Sequence, residues 1–310
     1  MRVIVFGAGA IGGYIGARLI QAGQEVAFVA RGAHLAALSE SGLRLTGVEG
    51  ELVLPPVEAS DDPATLGSAD AVLLCVKMYD VATAARQLAP LLRPGGAVLT
   101  VQNGIEAPDL VAHQVGAEAV LAGAAFFGGN IAAPGVIRLF GGMIGAPMLA
   151  FGPLRPEGLA RGEMLADMLN AAGVRSVLDP AIEILLWRKF CLISATSSST
   201  ALTRQTVGQV RGNPDTRWLI ETAVAETASV GRARGVPLSP GTEAEVVALI
   251  DGMPEHAKAS QLVDLEAGRR LELEWLSGAV RRLGAEAGVP TPYAATAYAA
   301  LKPYAAGAAT

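Results

Sequence analysis

Cysteine is nearly absent from this chain, with two among 310 residues. Cys75 and Cys191 fall within the apolar stretches Val72 to Val76 and Phe190 to Ile193, the setting of buried free thiols, so no disulfide framework is expected. Histidine is as scarce. The three present, His34, His113 and His256, do not cluster with Cys, Asp or Glu at ligand spacing, which leaves no candidate metal site. Charge is thin, at 17% of residues, and 24 basic against 29 acidic residues give a formal net charge of -5 without any Lys/Arg run. Such a balance offers no field to gather DNA, RNA or anionic lipid, so nucleic acid is not an expected partner. No uninterrupted apolar run reaches the roughly 18 residues that would suggest a membrane span. The opening, Met1 and Arg2 followed by an apolar strand, does not have the charged, apolar and small-residue layout of a secretion signal, and the cytoplasm is the expected compartment.

Apolar residues are plentiful, at 51%, together with 37 glycines. That composition buries a sizeable core, and the length favours two domains over one. From Arg2 to about Leu178, short apolar runs alternate with helical patterns, the grammar of a parallel sheet covered by helices on both faces. The runs are Val3 to Phe6, Glu25 to Ala30, Ala71 to Val76, Ala97 to Val101 and Val120 to Phe126. Helical stretches are predicted at Ile11 to Ala22, Val81 to Leu92 and Glu106 to His113. The glycine- and proline-rich segment Gly128 to Pro156, with apolar pieces at Val136 to Phe140 and Met143 to Phe151, reads as antiparallel hairpins added at the sheet edge. After Asp179 and Pro180 the pattern becomes helical throughout, at Ile182 to Thr200, Thr216 to Arg234, Glu243 to Ile250 and Leu273 to Ala287. The fold class is therefore α/β, with a Rossmann-type dinucleotide-binding domain over residues 1–179 followed by an all-helical domain over 180–310. The small-residue tail from Ala305 to Thr310 has no visible anchor and is expected to fray.

Gly7, Ala8, Gly9, Ala10, Ile11 and Gly12 form a GxGxxG sequence between the first strand and the first helix. Position gives the motif its meaning. The first glycine permits a tight turn, the second lets backbone approach a pyrophosphate, and the third lets helix pack closely on strand, while the helix N-terminus faces the anion. The second strand ends in Arg31, where an NAD site usually has a carboxylate for the ribose 2′-hydroxyl. A guanidinium there pairs with a 2′-phosphate, which favours NADPH over NADH; the alternative is a solvated strand-end charge.

Lys77 follows the Ala71 to Val76 run, and Asn103 stands in the Gln102-Asn103-Gly104 turn after Val101, both at strand ends where side chains reach a cofactor; each is also ordinary in a solvated turn. Lys189 sits among Leu185, Leu186, Phe190 and Leu192, and must either reach outward or be held for use. Burial lowers an ammonium's pKa and makes it a usable proton donor near neutrality. At 100° per residue Lys189, Ile193, Thr196 and Ser197 share one helix face, which lines either a pocket or a polar solvent boundary.

The segments GAGAIG, ARGAHL, VKMYD, QNGIE, LWRKF and SQLVDLEAGRRLELEWLSG, in that order over almost the whole chain, resemble the ketopantoate reductase (2-dehydropantoate 2-reductase) family. The resemblance implies an NADPH-dependent reduction of a small 2-oxo acid, 2-dehydropantoate, to its 2-hydroxy acid in pantothenate biosynthesis. It implies that Lys189 protonates the forming alkoxide, and that Lys77 and Asn103 contact nicotinamide ribose and substrate. Ser260 would hold the substrate carboxylate, and Glu272 would accept from the substrate hydroxyl or the catalytic ammonium, beside the cofactor. Without it, Glu272 reads as an ordinary first-turn acid.

Two departures bear on the substrate. The family pattern has asparagine four and often eight residues after its lysine; this chain has Ile193 and Ser197. An isoleucine donates no hydrogen bond, so the pocket is less polar, with Thr196 on the same face as a candidate substitute. Leu271 replaces a threonine before Glu272, which removes a helix cap. A reductase of another 2-oxo acid, or an NADPH-sensing protein without catalysis, stand as alternatives. Trp218 and the apolar helices offer surface for a homodimer.

Overall fold

A computed structural model describes residues 1–48, 50–142 and 147–308. Two compact units emerge from its internal packing. One comprises residues 1–102 and 106–182; the other comprises Asn103–Ile105 and Glu183 onward.

The first unit contains, in chain order, β1 (Arg2–Phe6), α1 (Ala10–Gln21), β2 (Glu25–Val29), α2 (Gly32–Glu40), β3 (Leu43–Gly47), β4 (Leu52–Leu54), β5 (Glu58–Ser60), β6 (Ala69–Leu74), α3 (Met78–Ala85), β7 (Leu92–Thr100), α4 (Ala107–Val115), β8 (Val120–Ala125), β9 (Phe127–Ala133), β10 (Val136–Gly142), β11 (Leu149–Pro153), α5 (Leu159–Ala171) and β12 (Ser176–Leu178). The main sheet has eight strands in the order β12-β11-β8-β7-β6-β1-β2-β5. All neighbours run parallel except β8 and β11. Its central strands are apolar without alternation because both faces are covered: Val3, Ile4 and Val5 are all fully buried, as are Val72, Leu73 and Leu74. From β1 the chain moves to β2 on one side, and β6 takes the other side. That reversal opens a crevice at the carboxyl end of β1, where open α/β sheets bind ligands.

The Gly128 to Pro156 segment departs from expectation. β9 and β10 do form a hairpin, but it joins β3 and β4 in a separate four-stranded sheet, β4-β3-β10-β9, rather than extending the main sheet. The physical reason is β3: Leu43 and Leu45 are buried, and β10 supplies the parallel neighbour that covers them. Among the segment's described residues, only β11 joins the main sheet, antiparallel to β8; the start of the predicted Met143 to Phe151 piece lies outside the described residues. The expected helix Val81 to Leu92 is shorter, α3 ending at Ala85, because Pro90 and the turns around it lead straight into β7.

The second unit is all helical: α6 (Ile182–Thr203, whose first residue packs with the sheet unit), α7 (Val207–Gly212), α8 (Pro214–Ala233), α9 (Thr242–Asp251), α10 (Ser260–Glu266), α11 (Ser277–Ala287) and α12 (Pro292–Leu301). Trp187 and Phe190, ring centroids 5.7 Å apart edge to face, pack with Val224, Val280, Leu283 and Ala297 in its core. The helix predicted from Leu273 is a 3-10 turn over Leu273–Trp275, and α11 begins only after Leu276, whose φ of -109° and ψ of -103° are not helical. The tail is also tied down where described. The Leu271 N–H donates to Ala305 O and the Ala308 N–H to Gly268 O, so backbone pairing supplies the anchor that small side chains do not.

Candidate active site

In the sheet unit the motif residues converge on the crevice because β2, β1 and β6 are parallel neighbours and end on one edge. Gly7 has φ +109°, and a Cβ there would lie 2.9 Å from backbone atoms of Cys75 and Val76. A Cβ on Gly12 would lie 2.2 Å from Gly7 O. Both positions admit glycine alone. At Gly9, the N-cap of α1, a Cβ would meet nothing within 4 Å. The loop is thus closed behind and bare in front, which is the relief a pyrophosphate needs to approach backbone N–H groups. The Gly7 and Ala8 N–H groups both donate to Val29 O, at 3.1 and 3.3 Å, fixing the turn to β2. Neither α1 nor α2 has an acid in its first turn, so nothing there opposes an anion.

Arg31 is the N-cap of α2 and is exposed; Lys77 is the N-cap of α3 and is partly buried. Buried Gln102 donates from Nε2 to Leu74 O at 2.7 Å and Val76 O at 3.1 Å, bracing the end of β6, while its Oε1 has no hydrogen-bond partner among the described residues. A buried acceptor facing no donor is costly, and its place at the strand ends suits the amide or hydroxyl donors of a nucleotide. The residues present fit a dinucleotide.

In the helical unit, Lys189 is partly buried on α6 and Glu272 is buried immediately before the 3-10 turn. Burial lowers the Lys189 ammonium to about 8, and the charge of Glu272 acts in the opposite direction. An amine poised there is charged at neutrality yet gives up its proton readily. Ile193 is partly buried, while Thr196 and Ser197 are buried. Thr196 Oγ1 donates to Leu192 O at 2.9 Å. Its proton is committed to its own helix, so it can only accept from another group and does not replace a missing amide donor. Its neighbours behave alike: Ser198, Ser199, Thr200 and Thr203 donate to Ser194, Ala195, Thr196 and Ser199 carbonyls at 2.7, 2.7, 2.7 and 2.8 Å.

Ser260 starts α10 and is exposed. Beside it, buried Gln261 donates to Ser197 O at 3.4 Å and fixes α10 to α6. Leu271 is buried with Leu265, Leu273 and Leu301, so the absent cap is compensated by apolar packing beside Glu272. Asn103 is partly buried and groups with the helical unit, as does Gly104, whose Cβ position lies 3.1 Å from Trp275 O.

The sequence marks Gln102 only as part of the turn with Asn103, and does not mark Gln261 or Glu226. Buried Glu226 accepts from the Tyr293 and Ala294 N–H groups at 2.8 and 2.9 Å and caps α12. Their common signal is a polar side chain inside an apolar face, which by itself does not separate bracing from catalysis. Both cysteine thiols are pushed up to about 12 by burial and are inert at neutral pH. Among the described residues no cluster of His, Cys, Asp and Glu suits a metal ion, and no helix is long and apolar enough to cross a membrane.

Comparison with known proteins agrees along both units. Residues 3–149 match the family described as ketopantoate reductase PanE/ApbA, and residues 181–305 match the C-terminal part of the same family. A 2-dehydropantoate 2-reductase of Mesorhizobium japonicum is 32% identical over 313 residues, covering 94% of each chain. The enzyme of that name from Archaeoglobus fulgidus is 33% identical over 292 residues, covering 93% of this chain and 92% of its own. Among solved structures, a PanE/ApbA family ketopantoate reductase from Ralstonia eutropha superposes with a TM-score of 0.87 at 30% identity over 98% of each chain. With the glycine loop, the strand-end cations and the lysine–glutamate pair already in place, these matches show that the chain belongs to the ketopantoate reductase family of oxidoreductases.

Proposed function

We propose that this protein is an NADPH-dependent 2-dehydropantoate 2-reductase, which reduces the 2-oxo group of 2-dehydropantoate to the hydroxyl of pantoate in cytoplasmic pantothenate biosynthesis. The observation that carries the reading is Lys189, a partly buried ammonium lowered to about 8 beside the buried Glu272, in a chain whose relatives have that name. Gly7, Ala8, Gly9, Ala10, Ile11 and Gly12 hold the pyrophosphate, Arg31 pairs with the 2′-phosphate, and Lys77 and Asn103 reach the nicotinamide ribose. When bound, the reduced nicotinamide supplies a hydride for the carbonyl carbon.

Lys189 does the rest of the chemistry. Its charge stabilises the carbonyl oxygen as negative charge develops there, and its proton completes the hydroxyl. Glu272 keeps that ammonium charged until it is used, accepts a hydrogen bond from the product hydroxyl, and borders the cofactor. Ser260 and Asn103 orient the 2-oxo acid by its carboxylate and carbonyl. Ile193, Thr196 and Ser197 form the side of the pocket, where one apolar face and one committed hydroxyl leave fewer donors than the family pattern has. That observation favours a second reading, the same reaction on a less polar 2-oxo acid. Exposed Trp218, edge-on to Tyr293, marks the face of α8 through which a homodimer would form.

The test is NADPH oxidation followed at 340 nm with a panel of 2-oxo acids. Highest kcat/KM with 2-dehydropantoate is expected. Faster turnover of a branched or aromatic 2-oxo acid would establish the second reading, and a flat panel with retained NADPH binding would leave a sensing protein.

A further inference from the structure

His34 lies near the start of α2, three residues after Arg31, and is partly buried. Its two ring nitrogens face partners that cannot exchange roles. Nε2 is 2.9 Å from Ala8 O, and a carbonyl only accepts. Nδ1 is 3.0 Å from the Gly135 N–H, and a backbone N–H only donates. The pair of contacts therefore defines one species, the neutral ring with its proton on Nε2. Burial, which holds the imidazole below its ordinary value, acts in the same sense.

The Ala8 carbonyl is not an arbitrary acceptor. Its peptide unit joins Ala8 to Gly9, the bare position at the front of the loop. In a planar trans peptide the C=O and N–H vectors point in opposite directions, so a bond that holds Ala8 O toward α2 sets the Gly9 N–H on the other side. The preceding N–H groups, of Gly7 and Ala8, are already bound to Val29 O. The loop is thus pinned from β2 through its first two N–H groups and from α2 through its next carbonyl. On the far side of the ring, Gly135 stands in the β9–β10 turn with φ +72°, its own carbonyl accepting from the Arg44 N–H at 2.8 Å.

We infer that His34 is a positioning residue for the dinucleotide site: a neutral imidazole that locks the Ala8–Gly9 peptide in its anion-accepting orientation and couples it to the β9–β10 turn. This rests on the reading of the glycine loop as the NADPH site. The ring makes its contribution through the loop, before any substrate arrives, so it acts on cofactor affinity and not on proton transfer.

The two bonds can be separated by substitution, because a glutamine amide nitrogen reaches the place of Nε2 and an asparagine oxygen reaches only that of Nδ1. Dissociation constants for NADPH are measured by nicotinamide fluorescence on wild type, His34→Gln, His34→Asn and His34→Ala, with kcat and KM alongside. His34→Ala and His34→Asn should bind NADPH about tenfold more weakly, the loss of one well-oriented bond, while His34→Gln stays within about twofold. KM for NADPH should rise far more than kcat falls. Full affinity in His34→Ala, or equal loss in His34→Gln and His34→Ala, would overturn the inference. Should the variants fold poorly, nitrogen shifts of the wild-type ring without cofactor decide it: a proton on Nε2 alone at neutral pH is expected, and an Nδ1–H or charged ring refutes the role. Wild-type protein that binds no NADPH would refute the cofactor reading itself, and the inference with it.

Discussion

The sheet unit and the helical unit arrange polar groups for use in opposite ways. At the carboxyl ends of β1, β2 and β6 the polar groups are backbone N–H donors and exposed or half-exposed cations, in a loop shaped by what is missing, a Cβ at Gly7, Gly9 and Gly12. On α6 the polar side chains are mostly buried, and four of the hydroxyls after Thr196 are spent on carbonyls of their own helix. Against that background Lys189 stands out, because a partly buried ammonium cannot be neutralised by a helix carbonyl and stays at about 8. The first unit offers polar groups that are open to solvent; the second holds one cation where burial disfavours its charge.

The two units differ most at Lys189. Lys189→Met should lower kcat by about 10²–10⁴-fold, the range for one general acid, with NADPH affinity little changed. Stopped-flow or steady-state kcat beside NADPH affinity checks it, and a variant that keeps full kcat would refute the role of the ammonium. In the sheet unit the corresponding lesion is Gly12→Val. Its Cβ would fall 2.2 Å from a backbone oxygen, so NADPH binding by fluorescence should be lost together with several degrees of Tm.

Arg31→Ala should raise KM for NADPH about 10–100-fold, as expected for loss of a charge-assisted bond, and leave KM for NADH nearly unchanged. An equal effect on both would remove the 2′-phosphate from the account. Glu272→Gln addresses the helical unit through pH. With Lys189 as the proposed proton donor, kcat/KM should fall as pH rises through about 8. Glu272 favours the charged form; without its charge the amine loses its proton more easily, and the alkaline limb should move to lower pH. A limb that stays in place would mean that another group sets it. The smallest effect is expected at Thr196→Val, within about 1 kcal/mol in stability, since the lost bond is to its own helix; a large drop in 2-oxo acid affinity would instead make Thr196 a substrate ligand.

The glycine loop was legible because a tight turn, a bare approach and a close helix–strand crossing each demand one residue type at a fixed place in the chain. The central strands were legible for a similar reason, burial on both faces confining polar residues to their opening positions, Arg2 in β1 and Asp70 in β6. The second sheet was not, because β10 pairs with β3 across about ninety residues, Val136 against Arg44, and no local pattern encodes that register. α7 carried a readable start, the reciprocal bonds between Thr206 and Gln209, but its brevity hid it among turns. At the candidate site, the lysine on α6 could be singled out as an ammonium among leucines. The commitment of Thr196 to Leu192 O and the orphaned Oε1 of Gln102 could not, since the first depends on side-chain direction within its own helix and the second on neighbours far away in sequence.

The pairing of residues 305–308 with 268–271 reaches further than a secured end. Glu272 follows directly on the laced segment, so residues 305–308 serve as the selvedge of the strip that carries the acid. Disrupting that pairing would loosen the carboxylate's seat without touching it.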